Sequence, residues 1–140
     1  MAHVVIQDQT FDLRSARMDD MPFIFSTWME SARQLRNTRM SIFNSHYPDL
    51  VRRLMSSEAA FVLASPASDA LHAWACGRSP NLLHFAYVPH KLRGYTFGRA
   101  VISAVLKDYP KTVFVTSSPL SQPNHTRFIY NPFVLPLPST

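Results

Sequence analysis

Apolar positions recur along this chain with two periods, and the change of period divides it into segments. Met21, Ile24, Trp28, Ala32 and Leu35 are three or four residues apart, the spacing that lines one face of an α-helix. Asp19-Asp20-Met21-Pro22 supplies an acidic cap and a proline near the first turn, so a helix is expected to start there. Two short extended segments, His3 to Ile6 and Phe11 to Arg14, precede it. A second start signal, Tyr47-Pro48-Asp49, precedes Leu50, Val51, Leu54 and Met55 and predicts a second helix. Beyond Ser57 the pattern changes to short runs of strand formers: Phe61 to Ala64, Ala70 to Cys76 and Leu82 to Val88. The turn formers Pro66-Ala67-Ser68-Asp69 and Gly77-Arg78-Ser79-Pro80-Asn81 join these runs, which predicts an antiparallel meander. Helical spacing returns with Phe97, Val101, Ala104 and Val105 over Gly98 to Leu106, with Pro110 as the stop. Thr112 to Thr116, β-branched except for Phe114, predicts a buried strand set parallel to Leu82 to Val88 by the intervening helix.

The order is a mixed α/β (α+β) arrangement with a βαβ crossover near its end and a proline-rich remainder. At 140 residues the chain is expected to form a single domain over 1–140. Apolar residues make up 46% and charged residues 16%, a globular balance. The net charge of +5 favours anionic partners: a phosphorylated cofactor, nucleic acid or an acidic protein surface; a basic surface serving only solubility is the plainer account. Cys76 is the single cysteine, so no internal disulfide forms, and the cytoplasm is the default compartment. No stretch approaches the ~20 apolar residues of a membrane span, and no membrane partner is expected. Histidine and cysteine spacings match no zinc motif, so no metal site is expected. Ser117-Ser118 has no nucleophile elbow around it. Arg33, Arg36, Arg39, Arg52 and Arg53 make either a basic patch for nucleic acid or ordinary solvated helix faces.

The strand-loop-helix stretch from Leu82 to Leu106 carries the most chemistry. A helix start presents backbone N–H groups without internal partners, together with the positive end of the helix dipole, and so favours a phosphate. Gly94 and Gly98 let a diphosphate approach, and Arg93 and Arg99 can pair with its oxygens. A plain tight turn accounts for two such glycines as readily, and a nucleotide loop is a further rival.

Val88-Pro89-His90-Lys91-Leu92-Arg93-Gly94-Tyr95-Thr96-Phe97-Gly98-Arg99-Ala100-Val101 resembles the acetyl-CoA motif of the GCN5-related N-acetyltransferase (GNAT) superfamily. In that motif a valine-ended strand runs into Arg/Gln-x-x-Gly-x-Gly/Ala and then a helix. Arg93 takes its first position and Gly98 its last, while Thr96 stands where the middle glycine is usual. Leu13 to Ile24 is similar to the family's opening strand and helix, and Asn124 to Tyr130 to the segment after its fifth strand. Tyr130-Asn131-Pro132-Phe133 resembles the ends of short members encoded by tailed phages.

The resemblance implies a GNAT-like mixed sheet whose two central parallel strands splay apart, bound to acetyl-CoA or another acyl-CoA. It implies that the strand around Phe85 to Val88, Tyr87 and Val88 included, pairs its backbone with the pantetheine arm, and that the amides of Tyr95, Thr96, Phe97, Gly98 and Arg99 hold the diphosphate. Tyr130 becomes the candidate general acid, since a phenol rests in its neutral form; ring packing is its plainer role. The family's usual glutamate base has no counterpart in the meander, because Glu30 and Glu58 both lie outside it. His84 is then the candidate base for the amine acceptor, against the plainer role of a hydrogen-bonded core histidine; His72 is a weaker choice. About two dozen residues follow Thr116, so the end is expected to be truncated, with the acceptor groove open or completed by a second copy. The competing reading is a non-catalytic GNAT-like fold that binds protein or DNA.

Overall fold

Strand β1 (Ala2–Ile6) pairs antiparallel with β2 (Gln9–Ser15) through the two-residue turn Gln7-Asp8. Both turn residues have positive φ, 52° and 65°, the twist that a tight hairpin requires. The structure is a computed structural model that describes residues 2–35, 40–92, 96–108, 112–116 and 128–130. A short 3-10 turn, Met18–Asp20, leads into α1 (Met21–Leu35). The Asp20 carboxylate accepts the Arg17 backbone N–H at 2.7 Å and satisfies a donor at the helix approach. Arg14 at the end of β2 grips the same carboxylate at 2.6 and 3.2 Å and reaches Asp69, in the turn that follows Ser65, at 3.2 Å. One buried guanidinium therefore joins three segments.

Helix α2 (Met40–Ser57) begins earlier than the Tyr47-Pro48-Asp49 signal implies, and Pro48 lies inside it. Proline removes one helical hydrogen bond, and packing on both sides of it offsets the loss. Tyr47 accepts the Trp28 indole N–H at 3.1 Å, and Val51 and Leu54 are buried against α1 and the sheet. The expected meander is present as β3 (Ala59–Ala64), β4 (Leu71–Arg78) and β5 (Leu82–Tyr87), all antiparallel. Helix α3 (Phe97–Leu106) crosses to β6 (Val113–Val115), which runs parallel to β5. Its end is set by Lys107 in a left-handed conformation, φ 64°, one residue past the last turn; Pro110 lies outside the described residues. A third parallel strand, β7 (Phe128–Tyr130), was not anticipated in the proline-rich remainder. The described strands form one sheet in the order β1-β2-β3-β4-β5-β6-β7.

Strand alternation sends successive side chains to opposite faces, and each face carries its own core. On one side α3 packs Val101 and Val105 over Leu63, Ala73, Ala75 and Leu83; the two alanines leave room for the helix to approach β4 closely. On the other side α1 and α2 cover Val62, Trp74, Cys76 and Phe85. Trp28, Trp74 and Phe85 have ring centroids 5.3 to 5.9 Å apart, and the Trp74 N–H donates to Thr27 Oγ1 at 2.8 Å. Deleting such a buried aromatic typically costs about 3–5 kcal/mol.

Candidate functional site

The parallel strands β5 and β6 pair only at Leu82 with Phe114 and Leu83 with Val115. Phe114 N–H donates to Asn81 O at 2.7 Å and Thr116 N–H to Leu83 O at 3.2 Å; past that bond, β5 runs on to Tyr87 beside β4 alone among the described residues. The parting coincides with a bulge. On β4, Cys76 and Gly77 are adjacent, yet they face Phe85 and Leu83, so His84 is an extra residue in β5. A bulge bends the strand and raises its local twist, which turns the rest of β5 away from β6. Gly77 permits it: a Cβ there would meet Leu82 O at 2.2 Å. At the same end of β5, α3 begins against Val88, whose Cγ2 would lie 3.4 Å from a Cβ at Gly98. Thr96, just before the helix, has φ 67°, and both Thr96 and Arg99 are exposed.

His84 is buried at the point of divergence. Its Nδ1 is 2.9 Å from Thr116 Oγ1 and its Nε2 is 3.1 Å from Glu58 Oε1. Glu58 sits between α2 and β3 with its side chain 2% exposed, and Arg78 on β4 grips its carboxylate from the solvent side at 2.9 and 2.7 Å. Burial lowers the His84 pKa and outweighs the opposing effect of Glu58, so the ring is neutral at pH 7. A carboxylate only accepts, so Nε2 carries the ring proton, and the Nδ1 lone pair receives the Thr116 hydroxyl.

The glutamate that the sequence pattern left out of the site is therefore in contact with the candidate base. It lies outside the strands, as the sequence indicated, yet the α2–β3 junction carries it over the bulge. Thr116 and Gly77 were also missed, the first read only as a strand end and the second only as a turn former. Among the residues expected to bind a cofactor, Tyr87, Val88, Thr96, Phe97, Gly98 and Arg99 gather where β5 ends and α3 starts. Phe97 does so as a core residue, its ring edge-on to Phe11 at 5.2 Å. Arg93, Gly94 and Tyr95 lie outside the described residues, as do Asn124 to Arg127. Tyr130 ends β7 opposite Val115, one residue before Thr116 on the neighbouring strand.

His72, on β4, makes no described contact with His84, Glu58 or Thr116; it is bonded to Ser65 Oγ and edge-on to Phe11, and burial and then Lys91 lower its pKa. Cys76 is fully buried, its S–H directed at Leu54 O at 3.8 Å, and burial, helped by Glu58, pushes its pKa up to about 12. Such a thiol is no nucleophile at neutral pH. Of the arginine group, Arg33 pairs with Glu30 and Arg52 with Asp49, both at 3.3 Å, and Arg52 also covers the Phe25 ring. Arg36 and Arg39 lie outside the described residues. Among the described residues no cluster of His, Cys, Asp or Glu is suited to a metal, and no helix is long and apolar enough to cross a membrane.

No protein-family model and no curated protein matches the sequence. Solved structures do match. The chain is similar to apo-form YjaB from Escherichia coli at 16% identity and TM-score 0.52, covering 69% of this chain and 65% of that one. It is similar to a GNAT-family acetyltransferase from Listeria monocytogenes 4b F2365 at 17% identity and TM-score 0.50, covering 74% and 72%. A GCN5-related N-acetyltransferase structure from Rhodopseudomonas palustris matches at 15% identity and TM-score 0.47, with 74% and 65% covered. The chain thus spans just under two thirds of the length of the first and third of these. With the meander, the α3 crossover and the parting parallel strands in place, the chain has the mixed α+β fold of the GNAT acetyltransferases.

Proposed function

We propose that this protein is an acyl-CoA-dependent N-acyltransferase that moves an acetyl or similar acyl group onto a primary amine. The observation that carries the reading is the parting of β5 and β6 after two paired residues, with the start of α3 packed on Val88 at the same end of the sheet. An extended pantetheine arm suits a strand end and a diphosphate suits a helix start, and the end of β5 and the start of α3 meet at this junction, which supports the reading. Exposure of Thr96 and Arg99 leaves the helix start accessible, which fits a diphosphate.

In this reading Tyr87 and Val88 align the pantetheine arm, the N–H groups of Tyr95 to Arg99 hold the diphosphate, and Arg93 and Arg99 add charge. Acyl-CoA supplies the activated thioester. His84 takes up the proton of the acceptor amine, and Tyr130 returns a proton to the departing sulfur. Calorimetry with acetyl-CoA tests the reading: binding is expected, and no heat at millimolar cofactor overturns it. Gly98→Trp is expected to abolish binding with the far-ultraviolet circular dichroism intact, and Tyr130→Phe to lower turnover more than cofactor affinity. Thr96 favours one other reading, a non-catalytic module that binds protein or DNA, because a β-branched residue takes the place of the family's glycine. That module folds normally and has no affinity for CoA.

A further inference from the structure

The three hydrogen-bonded groups at the bulge differ in one respect. Glu58 and His84 are buried side chains, whereas Thr116 is half-buried and makes the last described ladder bond between β5 and β6. An acceptor amine entering the parted strands meets the threonine before the imidazole. The Thr116 hydroxyl points its hydrogen at Nδ1, so a proton reaches the ring through that hydroxyl. Glu58 at Nε2 fixes the tautomer and balances the charge that forms on protonation, while Arg78 tempers it from outside.

We propose that Thr116, His84 and Glu58 form a proton relay in which the Thr116 hydroxyl contacts the acceptor amine and His84 acts through it. The proposal rests on the acyl-transfer reading and names the group that meets the acceptor. The amine nitrogen uses its lone pair to form the C–N bond to the thioester carbonyl carbon. Its proton passes to Thr116 Oγ1 as the threonine's own proton passes to His84 Nδ1. The C–S bond breaks with its electron pair on sulfur, which leaves as a thiol with a proton from Tyr130. The imidazolium then restores the phenol's proton through solvent. One proton moves from nitrogen to sulfur, an amide and a thiol form, and the relay returns to its starting state. Thr116 is the catalytic residue of the three; His84 and Glu58 are positioning residues. Among the described residues, the ionisable groups that act on the ring are Glu58 from the α2–β3 junction and Arg78 from β4, while Cys76, on β4 as well, stays neutral.

The full chain is assayed for thiol release from acetyl-CoA with spermidine, lysine and short peptides with free N-termini as probes. Thr116→Val is expected to lower kcat about 100-fold or more with KM for acetyl-CoA unchanged, and Thr116→Ser to recover most of the rate. Glu58→Gln is expected to move the acid limb of the kcat profile to lower pH, because the carboxylate raises the His84 pKa. Wild-type kcat in Thr116→Val, or an unmoved acid limb in Glu58→Gln, overturns the relay and leaves acyl transfer standing. Binding of acetyl-CoA without transfer to any probe also overturns the relay while keeping the cofactor site. Failure to bind acetyl-CoA overturns both proposals.

Discussion

Thr96 holds a backbone conformation that suits glycine. At φ 67° its Cβ crowds the following carbonyl, and a β-branched side chain makes this worse. The side chain is exposed, so little packing is at stake. Thr96→Gly is expected to raise stability by about 0.5–1 kcal/mol in denaturant titration, the strain relieved less the extra freedom of the unfolded glycine. The sequence pattern already marked this position as the loop's departure from the GNAT motif, and its φ gives the physical reason a glycine is usual there. Glu58 and Thr116 could not be read in the same way. One sits between two elements and the other at a strand end, so no periodicity marks either, and their meeting at His84 depends on tertiary placement. Protonation behaviour follows from that placement. Burial lowers the His84 pKa, so its imidazole is expected to titrate below the ordinary ~6.5 in residue-resolved NMR. The unfolded chain binds the proton first. Stability from this group is therefore complete above about pH 6.5 and falls as pH drops toward the folded midpoint. His72 shifts in the same direction and adds to the same window.

At the scale of elements, the meander, the crossover helix and both early helices were legible because each carries several periods of an apolar pattern. The bulge was not, since an extra residue in a strand is a property of register and appears only when two strands are aligned. Strand β7 is three residues long, too short for an alternating pattern to stand out, so local pattern gives it no signal. The start of α2 was misplaced because Pro48 mimics a first-turn proline while lying inside the helix. The two glycines near the site make different demands. Gly77→Ala places a Cβ 2.2 Å from a backbone oxygen and is expected to cost about 2–3 kcal/mol, because the neighbour that must move belongs to the ladder itself. Among the described residues a Cβ at Gly98 meets a valine methyl at 3.4 Å, and the cost of Gly98→Ala in thermal unfolding is expected to be less than half as large. Equal costs would mean that the bulge closes without Gly77.

Across the whole molecule, one sheet separates two cores, and the chain's few buried charges hold distant segments to it. Burial pushes the Asp20 carboxyl up, but the Arg14 and Arg17 hydrogen bonds outweigh this and hold it below the usual range. Its contribution is present above about pH 4 and lost below it, so acid unfolding is expected in a lower window than the histidines'. Asp20→Asn leaves the buried Arg14 with Asp69 as its charged partner among the described residues and is expected to cost about 3 kcal/mol by denaturant titration. The lone thiol of Cys76 lies between the sheet and α2, sealed by Leu54. Iodoacetamide reaches it only when the helix layer lifts, so the labelling rate, read by mass, is a clock of that opening. A compound that binds only the closed state slows the clock by the factor one plus its free concentration over Kd, roughly 100-fold at a concentration one hundred times Kd. The molecule therefore carries its own gauge for trial cofactors and acceptors, one that needs no turnover to give a reading.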